Sequence, residues 1–346
     1  MHISEFDYEL PEELIAQHPL SQRDASRMLV LDRQSGRWKD SEFASLPEYL
    51  RPQDVLVLNN TRVFSARLKA RRMTSGGSIQ LLLLRQVERN VWEVLGKPAQ
   101  RLKKGLRVSI EGSRVGGEVV AELDEGRRLI RFEAREDFTE LIEQLGEPPL
   151  PPYIKRLDRA LQEDRERYQT VYAKASGAIA APTAGLHFTA RTLEQIRMRG
   201  IAIVEIILHV GYGTFEPVRV NDVTQHHVAA EQFSISRKAA ATINNRRAVG
   251  GRVVAVGTTT TRALESSASV SGEICWSPMR DTPITIVPGY KFRAVDVLLT
   301  NFHLPRSSLL ILVSAFASRE SILASYRHAV REHYRFYSYG DCMLIV

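Results

Sequence analysis

The chain has 346 residues, 44% hydrophobic and 25% charged, a globular composition with apolar material for more than one core. Its two cysteines, Cys275 and Cys342, exclude a disulfide framework and a CxxxCxxC iron–sulfur site. The net charge of +7 is compatible with a polyanionic partner without requiring one. No run approaches the roughly 20 apolar residues of a membrane span, and the mixed residues 1–10 lack a secretion-signal pattern, so a reducing cytoplasm is the expected location.

In chain order, Pro11 suits the first turn of a helix through residues 12–15. Residues 28–32 (MLVLD) and 55–58 (VLVL) read as strands, the second apolar enough for burial on both faces. From residue 65 to about 146 the character changes to short β-like runs (SIQLLLL, VWEVLG, RVSI, VGGEVVAEL, RRLIRFE) separated by Gly, Lys and Arg, as in a small barrel or sandwich. Residues 138–145 form a short helix, and 147–152 (EPPLPP) a stiff linker. Thr189 can cap a helix over 190–199 that Gly200 ends, and 201–210 is a long apolar strand. Further strands are expected at 252–256, 284–287 and 308–315. A helix over 319–333 is capped by Ser318 and carries Ile322, Tyr326, Ala329 and Val330 on one face. Buried strands alternating with helices make an α/β layered domain. The expected division is residues 1–67 with 151–346 as the α/β domain, and 68–150 as an inserted β domain.

Polar and small residues crowd onto several turns. PTAGLHFT (182–189) surrounds His187 before a helix, where free N–H groups attract anions, although ordinary capping threonines explain it as well. HVGYGTFEPV (209–218) follows the long strand. Its glycines, Gly211 and Gly213, permit close backbone approach, and His209 suits proton transfer or a buried hydrogen bond. GTTTTRALES (257–266) places threonines and Arg262 at a strand–helix junction, able to hold a carboxylate or phosphate or simply to cap the helix. DVLLTNFHLPRSS (296–308) carries Asp296, Asn301 and His303 in an apolar stretch, where polar groups need partners. The aromatics of YRFYSYGD (334–341) suit either base stacking or core packing. Arg23, Asp24, Ser26 and Arg27 cluster near the start, and Asn59, Asn60, Thr61 and Arg62 follow the VLVL strand, at the kind of strand end where open α/β sheets bind ligands. The histidines show no HExxH spacing, so no metal site is expected.

Together these segments resemble the S-adenosylmethionine:tRNA ribosyltransferase-isomerases of queuosine biosynthesis. The matching stretches are RDASRMLVLD, LVLNNTRV, EPPLPPYI, RYQTVYA, APTAGLHFT, HVGYGTFEPV, VGTTTTRALES, PGYKFRAVDVLLTNFHLPRSSLLILVSAFA and YRFYSYGDCMLI, in the family's order from end to end. The resemblance implies an α/β domain with an inserted β-barrel. It implies transfer of the ribosyl part of S-adenosylmethionine, a co-substrate and not a cofactor, to 7-aminomethyl-7-deazaguanine at the wobble position of tRNA. The sugar rearranges to give epoxyqueuosine, and adenine and methionine leave. In QHHVAAEQF (225–233), Ala229 and Ala230 replace a usual histidine and serine, while His226 and Glu231 remain. Asn60 stands where aspartate is common, and Ser65 and Pro148 replace a usual proline and methionine.

The chemistry asks for a base that removes a C5′ proton made acidic by the sulfonium. His187, His209, His303 and Glu231 are the candidates, with Asp296 or Asp341 orienting one of them. Arg262 with Thr258, Thr259 and Thr260 is expected to hold the methionine carboxylate or a tRNA phosphate. Tyr290 and Phe302 are expected to stack on a base. Arg23, Asn60, Arg62, Thr183, Gly185, Gly211, Gly213, Asp296 and Asn301 are further candidate substrate contacts. Lys69, Arg71, Arg72, Lys97, Arg101, Lys103 and Lys104 are candidates for the tRNA backbone, or a solvated basic face. A monomer suffices. A non-catalytic RNA-binding module and a methyltransferase are the competing classes, and the second lacks a GxGxG-type loop after a first strand.

Overall fold

A computed structural model describes residues 1–134, 138–156, 162–215, 217–282 and 284–346. The chain opens with β1 (Arg27–Leu31), β2 (Trp38–Glu42), α1 (Leu46–Tyr49), β3 (Val55–Asn59) and β4 (Thr61–Val63). Six strands follow: β5 (Arg67–Arg72), β6 (Ser78–Glu88), β7 (Val91–Lys97), β8 (Arg107–Ile110), β9 (Gly116–Glu122) and β10 (Arg127–Phe132). Then come α2 (Phe138–Leu145), α3 (Gln162–Arg167), β11 (Ala175–Ala178), α4 (Ala190–Met198), β12 (Ala202–Leu208) and β13 (Glu231–Ile235). The last elements are α5 (Arg237–Ala248), β14 (Val253–Val256), α6 (Thr258–Ser267), β15 (Ser277–Thr282), β16 (Val297–Asn301), α7 (Ser308–Ala317), α8 (Arg319–Arg331) and β17 (Cys342–Ile345).

Among the described residues, a nine-stranded sheet runs in the order β15-β13-β12-β3-β14-β16-β17-β1-β2. Its centre, β12, β3, β14 and β16, is parallel. Strands β3 and β14 read as apolar runs because both faces are covered. Val55 and Val57 point into one core, which packs on α5, α6, α7 and α8. Leu56 and Leu58 point into the other, which packs on α4 and the short α1. Successive side chains of a strand leave on opposite faces, so one run feeds two cores.

Strands β5 to β10 close into a separate antiparallel barrel in the order β10-β7-β6-β5-β8-β9. The alternation is visible in β5, where Leu68 and Ala70 are buried and Lys69 and Arg71 are not. Helix α2 plugs the barrel, with Phe138 stacked on Phe132 at 4.1 Å. The chain leaves past Glu147, which bridges back to Arg67.

Three expectations are corrected. Residues 308–315 are not a strand but most of α7, which Ser307 caps by accepting from the Leu310 N–H. The helix is buried nearly all round, so its sequence SLLILVSAFA carries no amphipathic period to tell it from a buried strand. Residues 284–287 are loop, and the edge strand is the polar β15 just before them, held by pairing with β13 rather than by an apolar face. Residues 12–15 make only one 3₁₀ turn, Glu12–Leu14. No helix among the described residues is long and apolar enough to cross a membrane.

Candidate functional site

The four parallel strands end along one edge of the sheet, and the polar turns of the sequence gather there. Asn59, fully buried at the end of β3, ties that end to β12. Its Nδ2 donates to the Leu208 carbonyl at 2.8 Å, and its Oδ1 accepts the Leu208 N–H at 2.9 Å. Beyond β14, Gly257 turns the chain into α6 with φ +91°, a left-handed geometry that a side chain would strain. That turn places Thr258 and Thr259 on the wall of a cleft. Beyond β16 come Asn301, Phe302 and His303. The loop over residues 180–184 lies across the same edge.

Two clefts open here and share Val210. The first, about 590 Å³, is bounded by Thr183, Thr258, Thr259, Asn301 and His303, with Tyr153 and Tyr337 opposite. The second, about 1170 Å³, lies between barrel and sheet, with His209, Gly211, Gly213 and Glu231 on the sheet side and Arg85, Glu93 and Arg127 on the barrel side. A smaller recess of about 280 Å³ holds Arg23 and His187 and meets the first cleft at Ser338.

The three candidate histidines are not equivalent. His303 Nε2 shares a 2.8 Å hydrogen bond with Thr300 Oγ1, and burial pushes its pKa down to about 3. His187 Nδ1 lies 2.9 Å from Ser26 Oγ and its Nε2 lies 3.4 Å from Asn301 Oδ1. Burial, above all, lowers its pKa to about 4, and the neighbouring Arg23 and Arg335 push the same way. His209 is only half-buried, and desolvation lowers its pKa as well. Its Nδ1 is fixed by Thr61 Oγ1 at 2.8 Å, and its ring lies flush against Gly177, where a Cβ would sit 2.8 Å from it. Gly177 is therefore required by close approach.

Glu231 is buried at the start of β13. It accepts the Gly211 N–H at 2.8 Å and pairs with the Arg262 guanidinium. Arg262 is correspondingly committed. Its Nε donates to the Ile284 carbonyl at 3.1 Å, and Nη2 reaches the Ala229 and Thr282 carbonyls at 3.3 and 3.4 Å. The expected carboxylate or phosphate clamp is instead a buried fastener that joins α6, β13 and β15, behind the cleft wall.

Other expected contacts fall elsewhere. Tyr290 donates to Glu265 at 3.1 Å, and Glu265 in turn accepts the N–H groups of residues 293–295, which lead into β16 at its far end. Asp296 accepts the Val253 N–H at that same far end, where the parallel strands begin. Both are removed from the strand-end edge: Asp296 satisfies backbone where the chain enters the sheet, and Tyr290 holds the Glu265 that does the same. Phe302, by contrast, lines the first cleft, and its buried ring packs against Tyr326, Tyr334 and Phe336. Asp341 binds the Arg27 and Arg335 N–H groups, a structural role. Arg23 secures the Leu186 and Glu166 carbonyls. Asn60 bonds to Glu205, and Arg62 is exposed on β4. Gly185 packs on Tyr172 and Thr170. On the barrel, Lys69, Arg71 and Lys103 pair with Glu147, Glu111 and Glu122, while Lys97, Arg101 and Lys104 are exposed. Residue 216, within the 209–218 segment, lies outside the described residues.

Thr61, flagged by its place after β3, frames His209 together with Gly177, and Tyr337, one of the aromatics of 334–341, walls the first cleft. The structure adds Gly177, Tyr153 and Tyr168, which were not singled out as site residues in the sequence. The run of small residues GAIAAPTAG (177–185) was the available signal, since close approach needs small side chains. The Arg85–Glu93–Arg127 group carried no signal, because it forms only through the register of β6, β7 and β10.

A model of the queuosine biosynthesis protein family matches residues 3–345. A protein of Desulforamulus reducens named S-adenosylmethionine:tRNA ribosyltransferase-isomerase is 49% identical over 346 residues, 100% of both chains. The crystal structure of an S-adenosylmethionine tRNA ribosyltransferase from Thermotoga maritima is similar with a TM-score of 0.55 and 35% identity, covering 99% of this chain and 100% of that one. With the barrel, the large mixed sheet and the gathered strand-end turns in place, these matches show that the chain belongs to the queuosine biosynthesis family of S-adenosylmethionine:tRNA ribosyltransferase-isomerases.

Proposed function

We propose that the protein transfers the ribosyl part of S-adenosylmethionine to 7-aminomethyl-7-deazaguanine at the wobble position of tRNA. The transferred sugar is isomerised to the epoxy-cyclopentane of epoxyqueuosine, and adenine and methionine are released. The observation that carries this reading is the convergence of two clefts at Val210, beside His209, on the edge where the four parallel strands end. A two-substrate reaction needs two seats that meet at the reacting atoms.

His209 is the residue best suited to take the C5′ proton. Thr61 fixes its Nδ1, and Nε2 makes no hydrogen bond among the described residues. It also keeps contact with solvent, so a proton can leave it. His303 and His187 are weaker bases because burial holds their conjugate acids at about 3 and 4. Neutral at working pH, they are suited to hydrogen bonding. Glu231 is already engaged by Arg262 and Gly211. Proton removal beside the sulfonium generates the carbanion equivalent, and adenine leaves as the sugar ring opens.

The test is incubation with S-adenosylmethionine and tRNA bearing the aminomethyl base, followed by mass spectrometry of the nucleosides and chromatography of the small products. Epoxyqueuosine with adenine and methionine is expected. S-Adenosylhomocysteine in their place would make the protein a methyltransferase, and an unchanged tRNA that still binds would make it a binding module.

A further inference from the structure

The two clefts differ in chemical kind. No described residue lining the smaller one is Asp, Glu, Lys or Arg. Its polar groups are hydroxyls, the Asn301 amide and the His303 imidazole, which burial keeps neutral. Tyr153 and Tyr337, in edge-to-face contact at 3.8 Å, supply aromatic surface. Tyr168 lines the same cleft, and its buried hydroxyl makes no hydrogen bond of good geometry among the described residues. A charged group entering here would lose its hydration and meet no counter-ion, whereas a flat uncharged heterocycle would not.

The larger cleft is charged. From the barrel, buried Glu93 holds Arg85 by Nε at 2.7 Å and Arg127 by Nη1 at 2.8 Å. Among the described residues, the two terminal amino groups of Arg85 make no hydrogen bond. A buried carboxylate that steadies two arginines at the rim of an open cleft presents donors to a passing phosphate.

We propose that the smaller cleft is the adenine subsite for S-adenosylmethionine and that the larger one receives the tRNA nucleotide, with Arg85 and Arg127 on its phosphate. This assignment rests on the function proposed above. The adenine is the uncharged end of its molecule, since sulfonium, ammonium and carboxylate all lie beyond the ribose. The deazaguanine arrives tethered to a polyanion, which only the open, arginine-bearing cleft accommodates. The ribose and the aminomethyl group then meet over Val210 and His209.

The experiment measures Kd for S-adenosylmethionine, adenosine and tRNA by equilibrium dialysis, on the wild type and on Ala181→Leu, Tyr168→Phe and Arg85→Ala, with thermal melts of each. Ala181→Leu fills the smaller cleft and should weaken S-adenosylmethionine and adenosine alike, about tenfold or more, with tRNA affinity within about twofold of the wild type. Tyr168→Phe removes one atom without disturbing packing and should weaken adenosine about threefold, so the assignment stays testable if Ala181→Leu does not fold. Arg85→Ala should weaken tRNA about threefold or more and spare S-adenosylmethionine. Adenosine that binds both smaller-cleft variants as it binds the wild type overturns the assignment, as does S-adenosylmethionine binding with no affinity for adenosine. A wild type that binds no S-adenosylmethionine even with saturating tRNA present refutes instead the function on which the assignment rests.

Discussion

Replacing Arg262 by alanine should unfold the protein more readily rather than impair binding alone. In the folded chain its guanidinium pairs with Glu231 and donates to the carbonyls of Ile284, Ala229 and Thr282, with both charged side chains almost wholly buried. Removing it leaves a buried carboxylate without its counter-charge, a loss that runs to about 3–5 kcal/mol for pairs of this kind. At about 2.1 cal/mol/K per residue, the unfolding entropy of 346 residues is roughly 0.7 kcal/mol/K, so the melting temperature should fall by about 4–7 °C. Calorimetry or circular dichroism reads this shift directly. Glu231→Gln, which keeps a hydrogen-bonding oxygen for the Gly211 N–H and removes the negative charge, should also destabilise, because Arg262 is then the unpaired ion. The double variant Arg262→Met/Glu231→Gln should recover part of the loss, since neither charge is left alone. An Arg262→Ala protein that melts like the wild type, with a raised KM for one substrate, would refute this reasoning and return Arg262 to the role of ligand clamp.

Acid sensitivity gives a second expectation. His303 and His187 have folded-state pKa values of about 3 and 4, below the ordinary 6.5, so the unfolded chain binds their protons first as pH falls. The stability they contribute is complete above pH 6.5 and is lost on acidification toward the folded-state values, by about 2 kcal/mol for each group between pH 7 and 5. Denaturant melts of His303→Gln at the two pH values should show a dependence smaller by that amount, and an unchanged dependence would show that His303 titrates normally. Thr61→Val removes the hydroxyl that fixes His209 Nδ1. It should lower kcat about 3- to 10-fold with KM unchanged, as the loss of one hydrogen bond predicts. A change in KM alone would mean that Thr61 acts on binding.

The mixed architecture was legible because its two parts are patterned differently. Leu68 and Ala70 alternate with Lys69 and Arg71 around a closed barrel, whereas Val55 to Leu58 run unbroken between two cores. What escaped was whatever tertiary contact decides. Helix α7 has no polar face because α8 and the sheet surround it, so its periodicity is erased. The polar β15 is a strand only because β13 lies beside it. The same logic governs the site. The segments 182–189, 209–218 and 257–266 were recognisable as turns crowded with polar and small residues, and the structure places parts of all three on the clefts. Which end of the sheet a polar residue occupies was not recognisable. Asp296 and Asn301 flank the same short strand, yet one satisfies the Val253 backbone where the parallel strands begin and the other lines the cleft. Residue type also failed to separate a free arginine from a committed one. Arg262 is spent on Glu231 and three carbonyls, whereas Arg85, unremarkable in sequence, keeps its amino groups.

The central claim is that chemistry takes place over His209, where the two clefts join. Single-turnover release of adenine, measured by rapid quench at saturating S-adenosylmethionine and tRNA, tests it on His209→Ala. The rate should fall about 100-fold or more, the ordinary contribution of a positioned base, with both dissociation constants unchanged. Adenine released at the wild-type rate would contradict the account and move the reacting atoms away from this edge of the sheet.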